Sequence, residues 1–206
     1  VHHVGRTYPS GIAIRAAGSD HRVRHNDVHD TPYSAVTASG SGTRIEHNRF
    51  HRYMQVLKDG AAVYVTFCQG IRIRGNVARG RGTDISHGYY LDEQAERCAV
   101  EDNLAVDVGW PLHNHMAWNN VIRRNVLVDR GDSRMTLMKC RGFVFAENVW
   151  LAGGAIRVLT PPEGLARMPR NVLFSRRGRI VRELLEGYGA VRREPLLPAG
   201  GTVFAD

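Results

Sequence analysis

The stretch NVIRRNVLVD, residues 120–129, places an asparagine sixth in a run where apolar and polar side chains alternate. The same arrangement returns as HRVRHNDVHD (21–30), TRIEHNRFHR (43–52), IRIRGNVARG (71–80), CAVEDNLAVD (98–107) and FVFAENVWLA (143–152). The shared asparagines are Asn26, Asn48, Asn76, Asn103, Asn125 and Asn148, at intervals of 22, 28, 27, 22 and 23 residues. A unit of that length, repeated in tandem, is the signature of a solenoid. Its period-2 alternation belongs to strands and excludes the 3.6-residue spacing of helical repeats. Between the asparagines lies a second short strand with Gly or small residues leading in: SGIAIRA, AAVYVTF, HGYYLDE, RMTLMKC and GGAIRVL. Two or three short strands per unit predict an all-β fold, a right-handed parallel β-helix of about seven coils. An inward asparagine at a corner can satisfy backbone groups and bond to its counterpart one coil away, so the six are expected to stack as a ladder.

Composition is consistent with that plan. The chain has 206 residues and 43% hydrophobic content, enough for one large domain with its own core. No apolar stretch approaches the roughly 20 residues of a membrane span, so no membrane partner is expected. Lys and Arg total 28 against 20 Asp and Glu, a formal charge of +8 that suits a polyanion. The basic residues are dispersed and no recognised module is present, which argues against nucleic acid and leaves acidic polysaccharide. The triplet HNH at 113–115 resembles a nuclease abbreviation in letters only, because that motif spreads its residues over a ββα unit. Cys68, Cys98 and Cys140 are too few and too scattered for a disulfide framework and are expected as small buried residues. The chain opens VHHVGRTYPSG, which suggests a piece of something longer.

Residues 1–174 read as coils. Residues 175–206 break the pattern, with a possible helix at Arg179 to Leu185, and read as a C-terminal cap and tail. An open β-helix needs such a cover for its last apolar coil and strand edge.

Alternation sorts the second strand into faces. In AAVYVTF, Val63 and Val65 should point into the coil and Tyr64 and Thr66 out of it. In HGYYLDE, Tyr89 and Leu91 go in, and Tyr90 and Asp92 go out to solvent. The same register sets His113 beside Tyr90 and His115 beside Asp92, with Thr136 and Arg157 continuing the tyrosine column and Met138 the aspartate column. Two tyrosines, two histidines and an acid in rows, with Trp110 and Trp118 near, suit a sugar chain. The longer repeats carry their extra residues in HRYMQVLKDGAA and VARGRGTDISHG, immediately before this strand, so the loops around Asp59 and Asp84 should wall the same face.

The motifs HNDVHDTPYSAV, KDGAAVYV, HGYYLDEQ and NVIRRNVLVD resemble, in order, those of bacterial right-handed parallel β-helix proteins with a pectate-lyase-like fold, including glycoside hydrolase family 141, the α-L-fucosidase and xylanase type. The resemblance spans most of residues 10 to 160. It implies a secreted or extracellular carbohydrate-active enzyme with Asp59 and Asp92 as catalytic carboxylates, and Glu93 stands where a second Asp is common. Glycoside hydrolysis uses two carboxyl groups roughly 5 Å apart for retention or 6.5–9.5 Å for inversion. A straight strand would hold Asp59 about 20 Å from Asp92, so the pair requires a loop folded over the groove. Tyr64, Tyr90, His113, His115, Asp84, Lys139 and Arg157 are the expected substrate-binding residues, with a polysaccharide or oligosaccharide as partner.

Polysaccharide lyases and uronate epimerases share this fold, and Tyr90, His113, His115, Lys139 or Arg157 could serve their chemistry. A noncatalytic carbohydrate-binding solenoid is the third reading. No metal site and no cofactor are expected, except Ca²⁺ for a lyase, to which TDISHGYYLDE could offer two ligands.

Overall fold

The computed structural model describes residues 1–80 and 86–196, and residues 202–205 as backbone. It is a right-handed parallel β-helix of about seven coils, and the described residues include no helix. No helix is therefore long and apolar enough to cross a membrane. Three sheets run along the solenoid, of ten, seven and eight strands.

Parallel register turns the sequence repeat into columns of like side chains. On the ten-stranded sheet the interior column is Val36, Val63, Tyr89, Leu112, Met135 and Val158. On the seven-stranded sheet it is Val23, Ile45, Ile73, Val100, Ile122 and Phe145. Val28, Phe50, Ala78, Ala105, Leu127, Trp150 and Leu173 line the third. All of these are buried. Stacking apolar on apolar along the axis removes each coil's inner surface from water, which a single coil could not do. The three cysteines are buried and free, as the sequence reading expected, with the sulfurs of Cys68 and Cys98 3.7 Å apart.

The asparagines stack at the corner between the second and third strands. From Asn48 to Asn148 each side-chain amide donates to the next asparagine's Oδ1, for example Asn103 to Asn125 at 3.0 Å, and to a carbonyl of the preceding coil, Ile73 for Asn103 at 2.9 Å; Asn26 donates to Asn48 and to Arg24 of its own coil. The residue before each asparagine is left-handed, from His25 at φ 56° to Arg170 at φ 53°. That conformation costs a non-glycine residue about 1 kcal/mol, and the buried ladder of bonds offsets it. A seventh asparagine, Asn171, extends the ladder by bonding to Asn148 at 3.0 Å, so the six-member pattern is one rung short.

The C-terminal part departs from the helix expected at Arg179 to Leu185. Ile180–Glu186 is a strand paired in parallel with Ile156–Thr160, and Gly189–Pro195 folds back on it antiparallel. The exposed edge left by the strand at 156–160 supplied backbone partners that a helix could not use, and pairing overrode the helical propensity of the Arg, Glu and Leu residues there.

Candidate active site

The outward residues of the ten-stranded sheet form the face the alternation predicts. Tyr64, Tyr90, His113 and Thr136 stack in one column. The rings of Tyr64 and Tyr90 meet edge-on at 4.8 Å, and those of Tyr90 and His113 lie 4.2 Å apart. Arg157 does not continue this column. It pairs with Arg134 and lies 3.7 Å from Asp132, while Leu159 occupies the position after Thr136, because the strand at 156–160 enters two residues earlier than the Gly-Gly lead-in suggests.

Asp92 points out of the coil, but it is not solvated as expected. Only 8% of it is exposed. Its Oδ2 accepts a 2.5 Å hydrogen bond from the Tyr64 hydroxyl, and its Oδ1 lies 2.9 Å from Nδ1 of His115 in the next coil. Flanking phenol and imidazole groups, rather than water, satisfy this carboxylate.

The loop 52–60 does fold over the face. Asp59 is left-handed at φ 62°, and a Cβ on the following Gly60 would stand 2.4 Å from Ser34 Oγ, so only glycine lets the loop close down there. The Tyr33 hydroxyl donates to the Asp59 carbonyl at 2.8 Å, and the Tyr90 hydroxyl lies 3.5 Å from Asp59 Oδ1. Asp59 and Asp92 lie close enough for the charge of Asp92 to act on the Asp59 carboxyl. The separation of an extended strand has therefore been removed by one loop.

These groups set one another's protonation. Partial burial under its own loop, then the negative charge of Asp92, raises the Asp59 carboxyl above its ordinary value, although the residue stays open to solvent on one side. Burial, then the bond to Asp92, pushes the Tyr64 phenol far up, and burial followed by the charges of Asp92 and Asp59 does the same to Tyr90. Burial takes His113 down to about 2 and His87 down to about 4, so both imidazoles are neutral at pH 7.

The remaining residues divide. His113 bonds through Nδ1 to Thr136 and packs against His87 and Trp110, which makes it a wall rather than a free base. Lys139 is exposed, with its ammonium 3.2 Å from the Tyr188 hydroxyl, and Tyr188 also meets Nε2 of His115 at 3.2 Å. Glu93 contributes its carbonyl, accepting from Phe67 N–H at 2.7 Å and Thr66 at 3.2 Å, and its carboxylate has no hydrogen-bond partner among the described residues. Asp84 lies outside the described residues. Tyr33, His87 and Tyr188 belong to the site and were passed over in sequence. His87 opens the HGYYLDE strand two residues before Tyr89, yet it packs on the Tyr90 face, and Tyr188 arrives from the C-terminal hairpin. Upstream of Tyr64 the face continues into a depression of about 270 Å³ lined by Ile12, Arg15, Tyr33, Thr37 and Thr66, among others.

Among the described residues no group of three metal-type donors converges in this groove, where His115 is engaged by Asp92 and Tyr188. A converging set of metal-type donors lies instead on the eight-stranded sheet, where ligand atoms of Asp27, His29 and His51 fall within 4.8 Å of one another.

Over residues 2–152 the chain matches the family described as periplasmic copper-binding protein (NosD). No curated protein and no solved structure matches it.

Proposed function

We propose, from the premise that the chain belongs to the NosD family of right-handed parallel β-helix proteins, that its ten-stranded face binds and cleaves a glycan outside the cytoplasm. The observation that carries this reading is the approach of Asp59 to the face that holds Asp92, where the Tyr90 hydroxyl meets Asp59 and the adjoining Tyr64 hydroxyl meets Asp92.

Unequal environments assign the roles. Asp59 is exposed, and its raised carboxyl keeps its proton to higher pH, as a general acid facing a glycosidic oxygen requires. Asp92 sits deeper, and the bonds from Tyr64 and His115 aim it as an acceptor, suited to attack the anomeric carbon or to take a proton from water. Asp59 protonates the leaving oxygen while Asp92 either takes a proton from the attacking water or attacks the anomeric carbon itself, in which case a water deprotonated by Asp59 then breaks the glycosyl–Asp92 ester. Tyr33, Tyr64 and Tyr90 offer rings and hydroxyls to sugar faces, and the depression upstream of Tyr64 has room for a neighbouring sugar unit.

Elimination by a lyase fits less well. Tyr64 and Tyr90 hold their protons too tightly to act as bases, and His113 is buried and bonded to Thr136.

The test is release of reducing ends from fucosylated, xylan and uronate-containing glycans, with absorbance of unsaturated products followed in parallel. Reducing ends should appear with the native chain, and Asp92→Asn or Asp59→Asn should lower the rate by about 10²–10⁴. Unsaturated products that survive both substitutions, or binding with no turnover, would overturn the hydrolase assignment.

A further inference from the structure

We infer that the depression upstream of Tyr64 is a subsite for a sugar unit that carries a carboxylate, a uronic acid, and that Arg15 selects it. This rests on the groove being a glycan site and narrows its substrate to an acidic glycan.

Register carries Arg15 into the groove. Ile14–Ser19, Val36–Ser41 and Ala61–Gln69 are successive parallel strands of the ten-stranded sheet, with Arg15 opposite Thr37 and Thr37 opposite Tyr64. Arg15 therefore stands in the column that continues through Tyr64, Tyr90 and His113, about 10 Å upstream of Tyr64 at the β-sheet spacing. Ala16 and Ala38 are buried in the core, which leaves Arg15, Thr37 and Ser39 on the outside. Thr37, between Arg15 and Tyr64, and Ser39 beyond it are short, and the depression of about 270 Å³ opens over them.

Arg15 is the one charged side chain among the described residues that line the depression. Downstream on the same face the cations are engaged. Arg134 lies over the Trp110 ring at 4.9 Å, Lys139 lies over the Tyr188 ring at 4.2 Å, and Arg157 is 3.7 Å from Asp132. Arg15 is exposed, and among the described residues it has no carboxylate partner. A guanidinium presents paired N–H donors in one plane, which the two oxygens of a carboxylate match, so the group left unpaired here is the one suited to a uronate.

Charge also fixes which sugar unit is the acidic one. Both phenols of the depression are tied to the paired acids, Tyr33 to the Asp59 carbonyl at 2.8 Å and Tyr64 to Asp92 at 2.5 Å, so the depression adjoins those acids without containing them. A uronate directly over Asp59 and Asp92 would bring a third carboxylate against two, which Coulomb repulsion disfavours, whereas in the depression it faces Arg15. The acidic unit is then the neighbour of the unit that is cleaved. Thr66 uses its hydroxyl on the Glu93 carbonyl at 3.2 Å, while those of Thr37 and Ser39 are placed for the sugar's own hydroxyls.

Calorimetric titration with a uronate oligosaccharide, and with the same oligosaccharide after its carboxyl groups are reduced to alcohols, tests the subsite, with reducing-end release from both followed separately. The native chain should bind the uronate form about tenfold more tightly at low salt, and added salt should shrink that preference. Arg15→Gln should bring the uronate form down to the affinity of the reduced form, and Arg15→Lys, with the charge but not the fork, should keep part of the preference. Arg44→Gln removes an equal charge from the outer face of the seven-stranded sheet and should keep all of it. Circular dichroism should show every variant folded, as expected for exposed positions. Equal binding of the two forms by the native chain, a loss in Arg44→Gln that matches Arg15→Gln, or binding of neither form would overturn the assignment. Preference without turnover would sink the hydrolase reading and support the subsite, and turnover of both forms with equal KM would do the reverse.

Discussion

The Tyr64 hydroxyl donates a 2.5 Å hydrogen bond to Oδ2 of Asp92, from the coil one step upstream. Two residues 28 apart in sequence are thus joined by the solenoid's register, and the phenol proton does for this carboxylate what water does for an exposed one. A hydrogen bond to a charged group contributes about 1.5–3 kcal/mol. Tyr64→Phe should therefore lower glycan cleavage by about 10–100-fold while KM changes little, as measured by reducing-end release. An unchanged rate would remove Tyr64 from the mechanism.

The asparagine ladder predicts a large stability effect from a small deletion. Asn103→Ala removes the acceptor of the Asn76 backbone N–H and of one Asn76 amide hydrogen, and the amide donor to the Ile73 carbonyl, all buried, while Asn125 Oδ1 keeps the Asn103 backbone N–H. Each orphaned buried group costs about 1–3 kcal/mol, so a loss of about 3 kcal/mol or more is expected in chemical denaturation. Asn26→Ala, at the half-buried end of the ladder, should cost about 1 kcal/mol.

Acid should destabilise the fold through two histidines. The folded pKa of His113 is about 2 and that of His87 about 4, both below the roughly 6.5 of an unfolded histidine. The unfolded chain then binds protons first as pH falls. Their contribution is complete above about pH 6.5 and is lost as pH drops, by up to about 1.4 kcal/mol per pH unit for each group. Asp59 works in the opposite sense: its raised carboxyl favours the folded state at low pH and loses that contribution as pH rises through its folded value. Denaturation midpoints at pH 7.5, 6 and 5 should fall in the native chain, more steeply in Asp59→Asn and less steeply in His113→Asn.

Tyr188 separates function from stability. It is 63% exposed on the hairpin turn, yet it meets His115 and Lys139. Tyr188→Ala should shift the melting stability by no more than about 0.5 kcal/mol while altering KM for glycan. A stability loss several times larger would mean that the turn anchors the hairpin and is no wall of the groove.

The sequence alone determined the coil. Period-2 alternation and asparagines at near-constant spacing are local signals, and each repeat states them again, so fold class, ladder and outward face followed without coordinates. It even located Asp92 in its column, since register follows from counting. Where counting depended on where a strand begins, it failed: Arg157 slipped by two residues, Asn171 was left out of the ladder, and 179–185 was given a helix that the free edge of the sheet turned into a strand. Only the tertiary structure decided how loops and termini land on the face. The descent of Asp59 onto Tyr90, the burial of Asp92 and the arrival of Tyr188 depend on left-handed turns and close contacts between segments remote in sequence, and such contacts leave no periodic trace. The same holds for Asp27, His29 and His51: each reads singly as a polar strand end, and stacking at the β-sheet spacing brings their ligand atoms within 4.8 Å of one another.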